Sequence, residues 1–169
     1  TNNYYLSIDD DLIYPEDYVK DLIKNIDKYD RKAVVSYHGR TLKDGAKSYY
    51  RDIAEAYHFL KDVDEDVNIQ FGGTGVMGFH TGSVKVDFEY FKEPNMADVW
   101  MGLYCKENNT PIVVASHKAG WIKHTEKIDL KDTIWSKYHN NDPIQSSLIE
   151  NFGKPKVVNK GGRPTICLN

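Results

Sequence analysis

A short apolar run, Tyr4 to Ile8, passes without a spacer into three consecutive aspartates, Asp9, Asp10 and Asp11, and then into Leu12-Ile13-Tyr14-Pro15. This junction constrains the fold more than any other stretch. The run has strand composition, and a short apolar strand needs neighbouring strands to bury it. Its carboxyl end, loaded with like charge, has to stay at a sheet edge. Nothing upstream of Tyr4 supplies those neighbours, and the strand is already under way near Thr1. The sequence is therefore expected to be part of a longer chain, or to be completed by another molecule.

Alternation of elements follows. Pro15, with Glu16 and Asp17 beside it, suits a first helical turn, where a missing N–H costs nothing and acidic side chains favour the helix dipole. Tyr18, Val19, Leu22, Ile23 and Ile26 then form one helical stripe. Lys32 to Tyr37 reads as a second strand that leaves sharply through His38-Gly39-Arg40, and such a strand–helix–strand unit predicts parallel pairing. Residues 41–55 read as loop and then strand. Tyr57 to Leu60 and Val67 to Phe71 read as extended segments around the acidic run Asp62 to Asp66. Val76 to Phe79 follows the glycine cluster Gly72-Gly73-Thr74-Gly75, Asp98 to Lys106 is a helix, Pro111 to Ala115 the last core strand, and Asp142 to Asn151 a short helix. The expected architecture is one α/β domain over 1–169, with a mostly parallel mixed sheet flanked by helices. Residues from about 125 to 169 are expected to be a flexible or acceptor-side segment.

Composition narrows the function classes. With 40% hydrophobic residues in 169, the chain can bury a real core, and a formal net charge of -3 offers no footprint for nucleic acid. Cys105 and Cys167 lie far apart without CxxC spacing, so both are expected as reduced thiols rather than a zinc site or disulfide framework. No apolar stretch approaches the ~20 residues that cross a bilayer, and no signal peptide opens the chain. A cytoplasmic protein, open to peripheral membrane association, is expected.

Three adjacent carboxylates repel one another unless a cation or solvent relieves them. If the strand stays extended, Asp9 and Asp11 point one way and Asp10 the other. Two carboxylates on one side suit Mg²⁺ or Mn²⁺ with positions left for diphosphate oxygens. The alternative is a solvated acidic turn before the helix. For the glycine cluster, close backbone approach to a sugar competes with a tight turn. It carries neither GxGxxG spacing nor a following Lys-Ser/Thr, which argues against a P-loop.

The segment Leu6-Ser7-Ile8-Asp9-Asp10-Asp11-Leu12-Ile13-Tyr14-Pro15-Glu16-Asp17-Tyr18-Val19 resembles the DxD segment of GT-A glycosyltransferases, especially bacterial capsule and lipopolysaccharide sugar transferases. His38-Gly39, Gly73-Thr74-Gly75, Ala97-Asp98-Val99-Trp100 and Lys118 to Trp121 follow in the order those enzymes use, so the resemblance spans residues 4 to 124. It implies a metal-dependent transferase of polysaccharide biosynthesis, moving a sugar from a nucleotide-diphosphate donor, expected to be a UDP-sugar, to a saccharide acceptor. The resemblance assigns Asp9 and Asp11 to the metal and Asp10 to the donor ribose or sugar. His117, ahead of His124, is the candidate third metal ligand. Lys118 and Lys123 are candidates to neutralise diphosphate. Trp121 would stack on a sugar, against the equal alternative of burial in a small core, and His38, Gly73, Thr74 and Gly75 would border the sugar or acceptor. Asp98 would face the acceptor hydroxyl as base or orienting acid, against the alternative of a plain helix cap. It also implies that base recognition lies upstream of this segment.

Two other readings compete. A metal-dependent phosphohydrolase or nucleotidyltransferase would need further carboxylates on the same ion. A carbohydrate-binding module or inactive transferase fragment would bind without turnover.

Overall fold

The computed structural model describes residues 2–125, 136, 139, 141–150 and 152. In chain order the elements are β1 (Tyr4–Ile8), β2 (Leu12–Ile13), α1 (Tyr18–Lys28), β3 (Val34–Ser36), β4 (Gly39–Leu42), β5 (Ile53–Tyr57), β6 (Val67–Ile69), β7 (Phe71–Gly72), β8 (Val76–His80), α2 (Ala97–Glu107), β9 (Ile112–Val114), β10 (Lys123–His124) and α3 (Pro143–Ile149). The chain is a mixed α/β structure. Its central sheet has the order β1-β8-β3-β9-β6, beside a three-stranded sheet β5-β4-β7 and a small β10-β2 pair.

The central sheet corrects the expectation of mostly parallel pairing. Only β3 and β9 pair in parallel; β8 is antiparallel to both β1 and β3, and β6 to β9. The strand–helix–strand unit does return β3 in the direction of β1. It leaves one strand position between them, however, and β8 fills it from the opposite direction. A parallel crossover says how two strands are oriented, not that they touch.

Side chains alternate across this sheet and separate two apolar layers. Val35, Val76 and Val113 face α1, where Tyr18, Leu22 and Ile26 are buried. Val34, Met77, Phe79, Ile112 and Val114 face Met101 and Cys105 of α2 on the other side. Burial pushes the Cys105 thiol up to about 12, so it stays protonated in the interior. Cys167 lies outside the described residues. A third cluster joins the second sheet to α2 and α3 through Tyr49, Phe71, Trp100, Ile149 and Phe152.

Several boundaries differ from the sequence reading. Helix α1 begins at Tyr18 rather than at Pro15, because Glu16-Asp17 form a turn in which the Tyr18 N–H donates to the Pro15 carbonyl at 3.0 Å. His38-Gly39-Arg40 is not an exit into loop, since Gly39–Leu42 is itself a strand, antiparallel to both β5 and β7. The strand expected at Tyr57 to Leu60 lies at Ile53–Tyr57, and Val67 to Phe71 divides between two sheets at Gln70, whose side-chain Oε1 accepts from the Leu42 N–H. Within the expected C-terminal segment, α3 packs on the third cluster; most of the remainder lies outside the described residues. Among the described residues no helix is long and apolar enough to cross a membrane.

The two faces of α1 differ sharply, with Leu22 fully buried and Val19 53% exposed. Leu22→Ala is expected to lower the unfolding free energy by about 2–5 kcal/mol, and Val19→Ala by no more than about 0.5 kcal/mol. Urea denaturation of both variants checks the assignment; equal losses would mean that the stripe is misplaced.

Candidate functional site

The rim of the site is set by strand register. Ile8 pairs with Val76 and Ser36 with Met77, so the ends of β1 and β3 meet the start of β8 at one sheet edge. β9 also ends there, since the Ala115 N–H donates to the Ser36 carbonyl at 2.9 Å. The Tyr14 hydroxyl accepts from the Asp9 N–H at 2.8 Å and donates to the Gly75 carbonyl at 2.5 Å, tying the aspartate run to the glycine segment. Asp9, His38 and Gly73 to Gly75 are thereby gathered on one edge.

A cavity of about 690 Å³ opens at this edge, and it is lined by Asp9, His38, Gly73, Thr74, Gly75 and Asp98, six of the residues picked from sequence. The glycines also leave room at this edge for neighbouring side chains. A Cβ on Gly75 would lie 1.9 Å from Asp9 Oδ2, and one on Gly73 would lie 2.7 Å from His38 Cδ2. Their missing side chains make room for the Asp9 carboxylate and the His38 ring, two groups that border the cavity.

The aspartates do not continue an extended strand, because β1 stops at Ile8 and Asp10-Asp11 form a turn. Asp9 is held above the usual carboxylate range by burial, then by the charge of Asp11 and, less strongly, that of Asp10. Among the described residues, no hydrogen bond or ion pair engages the carboxylates of Asp9, Asp10 or Asp11. Such a set of unpartnered hard oxygen donors fits a divalent cation such as Mg²⁺ or Mn²⁺. Among the described residues, however, no group of three or more His, Cys, Asp or Glu is placed so that it could hold a metal ion.

Asp98 sits in the first turn of α2, two residues after the N-cap Met96. Its Oδ1 accepts from the Val99 N–H at 2.9 Å and its Oδ2 from the Tyr49 hydroxyl at 2.5 Å. Tyr49 is fully buried, and burial together with the Asp98 charge pushes its pKa well above 10. It therefore keeps its proton and fixes the Asp98 carboxylate as an acceptor.

His38 stacks edge-on against His58 at 4.6 Å, and its Nδ1 is sealed from solvent without a hydrogen-bond partner. Burial, then the charges of His58, Arg40 and His117, push it down to about 3, so the ring is neutral.

The other candidates fall elsewhere. His117 is buried behind the rim, its Nδ1 2.7 Å from the Ala115 carbonyl and its Nε2 3.4 Å from that of His58. Lys118 is exposed and paired with Asp64 and Asp62 at 2.9 and 3.8 Å. Lys123 pairs through β10 with Ile13, and the Thr125 N–H donates to the Asp11 carbonyl, so this lysine flanks the aspartate turn. Trp121 packs on Tyr37 and Tyr18 and donates to Asp17 at 3.2 Å, which is a packing role.

Arg40, Tyr49, Tyr50 and His58 also line the cavity. Sequence reading missed them in this role; the only signal was an aromatic pair, Tyr49-Tyr50, inside a polar stretch. No family model matches the chain, and comparison with curated proteins returns no match.

A neutral buried histidine gives the fold a signature in pH. Unfolded, His38 protonates near 6.5; folded, it does so near 3. Below pH 6.5 the unfolded state holds the extra proton, so stability falls with pH, by about 1.4 kcal/mol per pH unit per proton. His58, lowered mainly by burial, adds to the same trend. His38→Asn is expected to make the loss between pH 6.5 and 5 shallower, measured by denaturant unfolding at each pH. An unchanged slope would show that His38 titrates normally.

Proposed function

We propose that the chain is the metal- and acceptor-binding part of a GT-A-type glycosyltransferase. It would transfer a sugar from a nucleotide-diphosphate donor, with a UDP-sugar the expected one, to a saccharide. The observation that carries this reading is a single cavity with two kinds of carboxylate on its wall. One is Asp9 of the unpartnered aspartate turn, and the other is Asp98, oriented by Tyr49.

The division of labour follows from their surroundings. Asp9 and Asp11 would hold Mn²⁺ or Mg²⁺, which when bound offsets the charge that develops on the departing diphosphate. Asp10 lies beside them for the donor ribose or sugar, and Lys123 flanks the same turn with a positive charge. Asp98, in the first turn of α2 and held by the Tyr49 hydroxyl and the Val99 N–H, would accept or orient the proton of the acceptor hydroxyl. The acceptor oxygen then bonds to the anomeric carbon as the bond from that carbon to the diphosphate oxygen breaks, and the nucleoside diphosphate leaves. His117 and Lys118 carry no step in this scheme, because the first is bonded to backbone carbonyls and the second to the acidic loop.

The metal half is tested by calorimetric titration of Mn²⁺ with UDP. Asp11→Ala is expected to weaken Mn²⁺-dependent binding by at least the roughly 10–100-fold that loss of an outer-shell partner costs a metal site. Gly75→Ala, whose new methyl would displace the Asp9 carboxylate, is expected to weaken it as well. Binding unaffected by EDTA in all three proteins would overturn the metal role.

The acceptor half is tested by Asp98→Asn, which keeps the size of the side chain and one acceptor oxygen for the Val99 N–H, turns an amide N–H towards the Tyr49 hydroxyl oxygen, and removes the base. Transfer from a radiolabelled UDP-sugar is expected to fall by ~10²–10⁴-fold with donor affinity unchanged. Near-native turnover would reduce Asp98 to a helix-terminal residue.

A further inference from the structure

The guanidinium of Arg40 borders the same cavity in an unusual state. Its central carbon lies 4.8 Å from the Tyr49 ring centroid and 5.4 Å from that of Tyr50, and Nη1 is buried without a hydrogen-bond partner. Among the described residues no carboxylate forms an ion pair with it. The ring faces stabilise the charge electrostatically but offer no lone pair to an N–H donor. An arginine stays charged at any ordinary pH, so the protein carries a half-buried cation whose donor is unmet.

Position gives that vacancy a chemical meaning. Tyr49 holds Arg40 on its ring face and Asp98 on its hydroxyl, so the cation stands on the acceptor side rather than at the aspartate turn. His38, two residues before Arg40, also lines the cavity, and its Nδ1 is a second sealed polar atom without a partner among the described residues. Both oxygens of Asp98 are occupied by Tyr49 and Val99, which keeps that carboxylate from turning to neutralise the guanidinium. A planar fork of donors matches a carboxylate or a phosphate, and a neutral sugar hydroxyl uses it poorly.

We propose that Arg40, seated on Tyr49 and Tyr50, is the subsite for an acidic group on the saccharide acceptor, so that this chain selects sugar acids or sugar phosphates over neutral sugars. The proposal rests on the transferase reading for the word acceptor, but binding of an acidic sugar can be measured without any donor.

The test is calorimetry on the chain in EDTA, which removes any cation that might bridge an anion to the aspartates. The probes are methyl glucuronide, glucose 6-phosphate and methyl glucoside. At least one acidic sugar is expected to bind roughly ten-fold or more tightly than the neutral one, the scale of one charged hydrogen bond. Whichever acid prevails identifies carboxylate or phosphate as the group read. Arg40→Met is expected to bring the preference to near unity. Arg40→Lys, which keeps the charge without the fork and guards against misfolding of the methionine variant, is expected to keep part of it. Equal affinity for charged and neutral sugars, an unchanged preference in a folded Arg40→Met, or no binding of either acid would overturn the subsite. A parallel titration of Mn²⁺ and UDP reports on the transferase reading alone, so the two failures are distinguishable.

Discussion

The antiparallel register that β8 keeps with both β1 and β3 governs the rest of the structure. Those two strands run the same way with a gap between them, and β8 closes it from the opposite direction. The end of β1, the end of β3 and the glycine segment are thereby forced onto one edge. Tyr14 fixes the arrangement to within a hydrogen bond, because its hydroxyl serves the Asp9 N–H and the Gly75 carbonyl together. A one-residue slip of β8 would exchange its two faces and break that clamp. Asp9 would then lose the room that Gly75 gives its carboxylate.

Electrostatics on the rim follow from burial more than from pairing. The aspartate turn gathers three carboxylates without bonded partners among the described residues, whereas His38 is kept neutral behind it and the Arg40 guanidinium lies over the Tyr49 ring. One side chain can serve two charges of opposite sign at once. Tyr49 is the clearest case, with its ring turned to a cation and its hydroxyl to an anion.

Much of the fold was legible in the sequence, and for identifiable reasons. Of the expected stripe Tyr18, Val19, Leu22, Ile23 and Ile26, the residues Tyr18, Leu22 and Ile26 are buried while Val19 is exposed; the strand around Val34–Ser36 and the helix opening near Asp98 carry a local period or terminal signal and lie where expected. Strand adjacency carries no such local signal, so the insertion of β8 and the second sheet at Gly39–Leu42 were invisible. The site divides in the same way. Asp9, His38, Gly73 to Gly75 and Asp98 stand at ends of elements and could be picked out by position, and they meet at one cavity. Arg40 reaches it from β4 of the second sheet and Tyr49 and Tyr50 from the loop between β4 and β5, and no spacing rule marks them. Trp121, read either as a sugar-stacking ring or as part of a small core, packs on Tyr37 and Tyr18.

The loop that bears Tyr49 and Tyr50 owes its shape to a residue more than ninety positions away. Asp142 is buried, accepts from the Ser48 hydroxyl at 2.9 Å and from the Tyr50 N–H at 3.1 Å, and Ser146 accepts from the Tyr49 N–H at 3.2 Å. Burial works against the charge of Asp142, but these donors outweigh it and hold the carboxyl below its usual range. Contacts so remote in sequence cannot close until the intervening chain has condensed, since loop closure must precede any gain from the contact. The β1–β8–β3 frame, the α1 layer and the aspartate turn need none of them. Asp142 and Ser146 follow in sequence every residue that lines the cavity, so the wall on the Asp98 side is braced by chain that is made after the wall itself.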